Sequence, residues 1–151
     1  SRGMQMKLSI AAALSHGSRL LILDEPTSGL DPVARDELLD ILLDFIQDER
    51  NSVLISSHIL SDLEKACDYI TFIHMGRVVF SEVKDELLDK YIIAKGSERA
   101  IASLDPDAVV GVRRGAFGSE ALVERAAGEH LAHERASIED IMLYYIKGDA
   151  K

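Results

Sequence analysis

A short apolar run that ends in two adjacent acidic residues restricts the folds open to this chain. Residues 20–23 read Leu-Leu-Ile-Leu, and Asp24, Glu25 and Pro26 follow at once. An apolar run of this length without alternation is typical of a strand buried on both faces, as in a parallel sheet. The two carboxylates would then stand at the carboxyl edge of the sheet, where sheets of this kind place their ligand sites.

The segments around this run predict a repeated strand and helix arrangement. Residues 5–14 carry apolar side chains at helical spacing. A second helix is predicted to start at Asp31, an N-cap carboxylate followed by proline, and to run to about residue 48. A second buried-type strand is predicted for residues 51–56, which deliver His58 just before a third helix. Strand, helix, strand and helix in this order imply an α/β fold with a parallel sheet and right-handed crossovers.

The pattern changes in the second half of the chain. A tight hairpin is predicted around Met75 and Gly76, followed by a short helix over residues 82–90. We place a domain boundary near residue 90, so that residues 1–90 form the larger α/β portion and residues 91–151 a small α+β appendage. The elements predicted for the appendage are strands over residues 91–94, 109–113 and 120–125, a short helix over 97–103, and a final helix that begins with a capping box at Ser137.

Composition excludes several classes of protein. The chain has 151 residues, 47% of them hydrophobic, which is ordinary for a globular protein. Its 26 acidic against 17 basic side chains argue against a broad nucleic-acid surface, because phosphate binding draws its affinity from Lys and Arg. No apolar run approaches the roughly 20 residues that cross a bilayer. The single cysteine, Cys67, cannot form an internal disulfide, so we expect a cytoplasmic setting.

The acidic pair has two interpretations. In nucleotide-binding folds an aspartate at this edge holds the Mg²⁺ that bridges the phosphates, which is the role predicted for Asp24. A neighbouring carboxylate can accept a proton from the attacking water, which is the role predicted for Glu25. The alternative is a solvated turn, which is the commoner meaning of an Asp-Glu pair taken alone.

The surrounding motifs favour the first interpretation. The string LLILDEPTSGLDP covers residues 20–32, and Ser-Ser-His ends the next predicted strand at His58. Together with the opening Ser-Arg-Gly-Met-Gln, this ordered set over about residues 1–90 resembles the ATP-binding subunit of ABC transporters. The resemblance implies the carboxy-terminal part of a P-loop NTPase-type parallel sheet layered with helices, from the signature motif onward.

The resemblance also assigns roles to residues. It implies that Asp24 is the metal-binding Walker B aspartate, that Glu25 is the catalytic glutamate and that His58 is the switch histidine that reaches the γ-phosphate. Ser1 and Gly3 fall on the signature motif, which contacts ATP held by the opposite subunit. The loop that crosses the dimer interface ends at Asp31, which is therefore counted with the cofactor-binding residues.

Two features depart from the family pattern or refine it. The usual signature is LSGGQ, whereas here Arg2 replaces the first glycine and Met4 replaces the glutamine. Signatures of the SRGMQ type, and the string SIEDIMLYYIKG near the carboxy terminus, look most like the ATPases of ABC-2-type exporters. The resemblance therefore implies ATP and Mg²⁺ as cofactors, with a membrane permease and a second, identical or paralogous, ATPase subunit as partners. It implies a peripheral position on the inner face of the cell membrane, and the acidic charge balance predicts no nucleic-acid partner.

The phosphate-binding loop of such enzymes is absent from the sequence, which contains no G-x-x-x-x-G-K-[ST]. We therefore expect this chain to be a fragment of a longer ATPase and to be inactive alone. Two alternatives stay open. The parent protein could be an ABC ATPase that acts on ribosomes or DNA instead of a permease, and the isolated chain could serve as a non-catalytic interaction or dimerisation module.

Overall fold

The computed structural model describes residues 2–115 and 118–148 and consists of two compact units, Ser1–Cys67 and Asp68–Lys151. Its mixed helices and strands confirm the predicted α/β class. The first unit contains α1 (Arg2–Leu14), β1 (Leu20–Asp24), α2 (Pro32–Phe45), β2 (Ser52–Ser56) and α3 (Leu60–Ala66).

Strands β1 and β2 form a parallel pair, as predicted. Their register places Leu21 opposite Val53 and Asp24 opposite Ser56. Parallel strands end at the same edge, so the chain leaves both strands side by side. This register is what brings the acidic pair next to the segment that carries His58.

Only one face of this two-stranded sheet is buried, so the prediction of burial on both faces is wrong for this chain. Leu21 is 3% exposed, whereas Ile22 and Leu54 are 70% and 63% exposed. Successive side chains of a strand point to opposite faces. The face of the sheet that carries Ile22 and Leu54 is left uncovered by the described elements of this unit. The buried apolar residues of the unit are Ile10, Leu21, Leu38, Leu39 and Leu42.

The helix ends of the first unit follow local signals. Asp31 caps α2 by accepting hydrogen bonds from the backbone N–H groups of Val33 and Ala34, at 3.1 and 3.0 Å. Helix α1 begins at Arg2 rather than at residue 5. Beyond its end, Gly17 adopts a φ of 65° and its N–H donates to the carbonyl of Leu14, a conformation that glycine adopts without steric cost.

The second unit begins with an antiparallel hairpin. Its two strands are β3 (Tyr69–His74) and β4 (Arg77–Val83). Met75 and Gly76 between them have φ angles of 47° and 75°, the combination that a type I′ turn requires. This confirms the predicted hairpin at that dipeptide.

A four-stranded antiparallel sheet forms the core of the second unit. After the hairpin, the elements of the second unit, in chain order, are α4 (Lys84–Lys90), β5 (Tyr91–Gly96), α5 (Glu98–Ala102), β6 (Val109–Gly115), β7 (Gly118–Glu124), α6 (Arg125–Gly128), β8 (Ala132–Arg135) and α7 (Ile138–Lys147). The strand order is β6-β7-β5-β8. Four consecutive residues of β5, from Tyr91 to Ala94, are buried, and this central strand contacts α4, α5 and α6.

Two elements of this unit were not predicted. They are α6, which has four residues, and β8, whose side chains are all exposed. The predicted capping box at the start of α7 is present, with Ser137 and Asp140 each accepting the other's backbone N–H.

Along the chain, the first unit ends at Cys67 and the second begins at Asp68. The boundary predicted near residue 90 therefore falls inside the second unit, between α4 and β5. The reason is that α4 contacts both β4 and β5. As a boundary between two functional domains, residue 90 stays a prediction. Within the described ranges, no helix combines the length and apolar character needed to span a bilayer.

Candidate active site

The carboxyl ends of β1 and β2 bring the predicted acidic pair together with Ser56. The Ser56 hydroxyl donates a hydrogen bond to Oδ1 of Asp24. The backbone N–H of Glu25 donates to the Ser56 carbonyl at 3.0 Å and lies 3.2 Å from the Ser56 hydroxyl oxygen. One serine of β2 therefore holds the side chain of the first acidic residue and the backbone of the second.

Ser56 had no assigned role in the sequence-based prediction. The available signal was its place at the end of β2, directly opposite Asp24 in a parallel register. That register is set by pairing between distant segments and cannot be read from either segment alone.

The backbone of Glu25 is strained. Its φ is 48°, in the left-handed region that costs a non-glycine residue about 1–2 kcal/mol. The bonds to Ser56 hold this conformation from one side, and the Glu25 carbonyl accepts from the N–H of Ser28 at 3.1 Å on the other. Backbone strain of this kind persists only where the surroundings impose it, and it is concentrated at functional sites.

His58 and Glu25 are in direct contact. Nδ1 of His58 lies 2.6 Å from Oε2 of Glu25, and the two residues are separated by 33 positions in the chain. The imidazole is 68% exposed and the glutamate side chain 37% exposed, so solvent reaches both groups. When Nδ1 carries a proton, it donates to the carboxylate and fixes the orientation of the ring, which leaves Nε2 for a second partner.

Asp31 is engaged in the structure as a helix cap. The hydrogen bonds from the backbone N–H groups of Ala34 and Val33 lower the pKa of its carboxyl group, because they stabilise the charged form. Its side chain is exposed at the end of the 28–31 segment. Its predicted part in cofactor binding across an interface stays a prediction.

Of the two predicted signature residues, Ser1 lies outside the described residues. Gly3 lies in the first turn of α1, beside the segment that leads into α2. A Cβ atom at this position would lie 3.4 Å from Cβ of Ala34 and 3.9 Å from Cδ2 of Leu30, which are ordinary contacts. The hydrogen bonds that join Asp24, Glu25, Ser56 and His58 do not include Gly3.

The acidic residues suit Mg²⁺ only in company with a phosphate. Across residues 2–115 and 118–148, no group of three or more His, Cys, Asp or Glu side chains is arranged to hold a metal. Mg²⁺ is usually bound by one or two carboxylates, water and substrate phosphates rather than by an all-protein cage. The exposed carboxylate of Asp24, oriented by Ser56, fits one such ligand.

Comparison with known proteins gives consistent matches. The protein-family description "AAA domain, putative AbiEii toxin, Type IV TA system" matches residues 1–61. The lantibiotic transport ATP-binding protein SrtF of Streptococcus pyogenes is 42% identical over 99 residues, which cover 62% of this chain and 43% of SrtF. The uncharacterized ABC transporter ATP-binding protein YhcH of Bacillus subtilis is 41% identical over 91 residues, covering 60% of this chain and 30% of YhcH.

A longer alignment reaches into the second unit. The fluoroquinolones export ATP-binding protein MT2762 of Mycobacterium tuberculosis is 33% identical over 127 residues, covering 84% of this chain and 40% of MT2762. In all three relatives, the chain spans less than half of the protein's length. The matches agree with the motif at β1, with the parallel β-α-β unit and with the acidic edge described above, and the chain belongs to the family of ABC transporter ATP-binding proteins.

Proposed function

We propose that this chain is part of an ATP-hydrolysing subunit that drives export through a membrane permease. The observation that carries the proposal is the contact between Glu25 and His58 beside Asp24, at the carboxyl edge of a parallel sheet. A water-activating base, a ligand for a metal and a donor for phosphoryl oxygens are the groups that phosphoryl transfer to water needs. The residues proposed for these three roles are Glu25, Asp24 and His58, and they lie at or within two residues of the ends of two paired strands.

Glu25 acts as the base in this proposal. Its carboxylate accepts a proton from water as the water oxygen bonds to the γ-phosphorus of ATP, and the bond from that phosphorus to the β,γ-bridging oxygen breaks. ADP leaves with the bridging oxygen, and inorganic phosphate is released. The bonds to Ser56 hold the backbone of Glu25, and the contact with His58 orients its carboxylate before water arrives, which reduces the reorganisation needed during the reaction.

His58 has two tasks in this proposal: it orients the Glu25 carboxylate and donates a hydrogen bond to the phosphate. In the doubly protonated form of the ring, Nδ1–H donates to Glu25, and Nε2–H is left to donate to a γ-phosphate oxygen, where it would stabilise the charge of the transition state. Asp24 would hold Mg²⁺, whose chemical contribution is to neutralise charge on the β- and γ-phosphate oxygens. Ser56 keeps Asp24 oriented for that task.

Each complete site is proposed to need two subunits. Ser1 and Gly3 would contact ATP bound to the opposite subunit, and the segment ending at Asp31 would cross the interface. Helix N-termini favour anions through free backbone N–H groups and the helix dipole, which supports a phosphate contact at the start of α1. The sequence has no G-x-x-x-x-G-K-[ST], and we therefore propose that the isolated chain neither holds ATP tightly nor hydrolyses it.

The partners follow from family and charge. SrtF and MT2762 carry transport or export in their names, which supports a membrane permease as partner and a position on the cytoplasmic face of the membrane. The net charge of −9 disfavours nucleic acid as the partner.

Replacing Glu25 in the longer protein that contains this chain tests the proposal. Glu25→Gln keeps the size of the side chain but cannot accept the proton, so ATP binding should persist and turnover should fall by about 100-fold or more. Glu49→Gln, on an exposed residue beyond α2, is the matched control and should leave both unchanged. Full hydrolysis by the Glu25→Gln protein would remove Glu25 from the role of base, and micromolar binding of Mg-ATP by the isolated chain would refute its proposed inactivity.

A further inference from the structure

The position of His58 depends on a short helix that has little to hold it in place locally. Helix α3 has seven residues and begins one residue after Ile59, its N-cap, which provides no side-chain cap. The only local side-chain bond at this start is from the N–H of Ile59 to the hydroxyl of Ser57, at 3.0 Å, among the described contacts. Whatever fixes α3 against its neighbours therefore also fixes the backbone that carries His58.

A charge pair with a buried acid joins α3 to α2, and the Arg35 side chain of this pair is 31% exposed. Oδ2 of Asp62 lies 3.8 Å from Nε of Arg35, and the Asp62 side chain is only 4% exposed. Neither of these two atoms has a hydrogen-bond partner among the described residues. Because a buried carboxylate is strongly unfavourable without a compensating charge, this acid depends on the guanidinium of Arg35.

A second charge contact between the same helices, made by Lys65, lies at the exposed surface. Nζ of Lys65 lies 2.5 Å from Oδ1 of Asp36 and 3.4 Å from Oδ1 of Asp40. These side chains are 40–66% exposed, and ion pairs in such surroundings contribute little because water screens them. We therefore expect the loss of the Arg35–Asp62 pair, with its buried carboxylate, to affect α3 more than the loss of the exposed contact.

We propose that Arg35 and Asp62 are positioning residues that hold His58 against Glu25. Arg35 lies one turn inside α2, and α2 is joined to Glu25 by the 26–31 segment, in which Pro26 and Thr27 are buried. Asp62 lies in the first turn of α3, four positions after His58. The pair therefore links the segment that carries the base to the segment that carries the histidine. This inference rests on the proposed function, because that function gives the Glu25–His58 contact its role.

The contact can be observed directly in this chain, without ATP. The five histidines, labelled with ¹⁵N, give separate ring signals, and His16, His74, His130 and His133 serve as internal controls. Glu25→Gln defines the signals of a His58 ring without its carboxylate partner. In Asp62→Asn, the His58 signals should move at least half of the way to those of Glu25→Gln, while the other four histidines stay unchanged.

Matched variants separate positioning from general loss of structure. Arg35→Gln should displace the His58 signals as Asp62→Asn does, and it decides the question should Asp62→Asn fail to fold. Arg35→Lys keeps the charge and should restore signals close to those of the unaltered chain. Lys65→Gln, which removes the exposed contact between α2 and α3, should leave the His58 signals unchanged. Circular dichroism should show the same helix content in all four variants as in the unaltered chain.

The possible failures are distinguishable. If Glu25→Gln displaces the His58 signals but the folded Asp62→Asn and Arg35→Gln variants do not, the positioning role is wrong and the proposed function is untouched. If Glu25→Gln itself leaves His58 unchanged, the Glu25–His58 contact is absent, and both the positioning role and the site behind the proposed function are overturned.

Discussion

Ser56 donates a hydrogen bond from its hydroxyl to Oδ1 of Asp24, across the parallel pair β1 and β2. The same hydroxyl oxygen lies 3.2 Å from the backbone nitrogen of Glu25. One small side chain therefore orients the carboxylate proposed to hold a metal and supports the strained residue proposed as the base. Partners of this kind, which orient a metal ligand without touching the metal, commonly determine how well the ligand works.

Replacing Ser56 by alanine should weaken the use of Mg²⁺ by the longer protein. With the donor gone, the Asp24 carboxylate rotates freely, and the Mg²⁺ concentration that gives half-maximal hydrolysis should rise by about tenfold. The isolated chain should lose about 1 kcal/mol in the free energy of unfolding of its first unit. Ser52→Ala, at the other end of β2, is the control. An unchanged Mg²⁺ requirement in Ser56→Ala would show that Asp24 needs no such support.

Two substitutions at Glu25 should separate backbone strain from side-chain chemistry. Glu25→Ala and Glu25→Gly both remove the carboxylate and its contact with His58. At a φ of 48° alanine keeps the steric cost and glycine does not, so the glycine variant should be more stable by about 1 kcal/mol. Hydrogen exchange of amides in β1 and β2 measures the difference. Greater stability of the alanine variant would mean that the left-handed conformation is relaxed once the carboxylate is gone.

Gly3→Ala should separate folding from function in α1. A methyl group there meets only ordinary contacts with Ala34 and Leu30, and alanine favours a helix over glycine by roughly 0.5–1 kcal/mol. The isolated chain should therefore be unchanged or slightly more stable on thermal unfolding. If Gly3 approaches a phosphate closely, as the signature role requires, hydrolysis by the longer protein should nonetheless fall. Unchanged hydrolysis would show that the phosphate contact tolerates a side chain.

Much of the first unit is predictable because its signals are local. Asp31 followed by proline marks the start of α2, and apolar runs mark β1 and β2. The common edge of two parallel strands then brings Glu25 near His58 by topology. The chemical roles proposed for them rest on the family resemblance, because an acidic pair and a single histidine have no unique meaning by themselves.

What escaped prediction depends on distant parts of the chain. An apolar strand does not reveal how many layers cover it, and Ile22 and Leu54 are exposed here although their residue types suit a buried face. The role of Ser56 depends on register, and the left-handed backbone of Glu25 is imposed by hydrogen bonds from the next strand rather than marked by a glycine. Strand β8 lacks apolar alternation, and it forms because β5 offers it a free edge.

The hydroxyl groups of Tyr91 and Tyr145 should make the second unit sensitive to alkaline pH. Their oxygens lie 2.9 Å apart. Burial, above all, raises the pKa of both, and the mutual hydrogen bond raises the pKa of Tyr145 further. A tyrosine in the unfolded chain ionises near pH 10, before the folded one does. The stabilisation is therefore complete below about pH 10 and is lost as the pH rises from there toward the higher pKa of the folded state.

Tyr145→Phe removes one of these titrating groups and the hydrogen bond with it. At pH 8 the variant should be less stable by about 1 kcal/mol, because the Tyr91 hydroxyl loses its partner. Above pH 10 its stability should fall less steeply than that of the unaltered chain, so the two should converge. Urea unfolding between pH 8 and 11, followed by near-ultraviolet circular dichroism, measures this, since all four tyrosines lie in the second unit. Tyr69→Phe, at a residue that is 70% exposed, should leave the slope unchanged. Parallel curves for Tyr145→Phe and the unaltered chain would mean that the folded Tyr145 ionises at the same pH as the unfolded one.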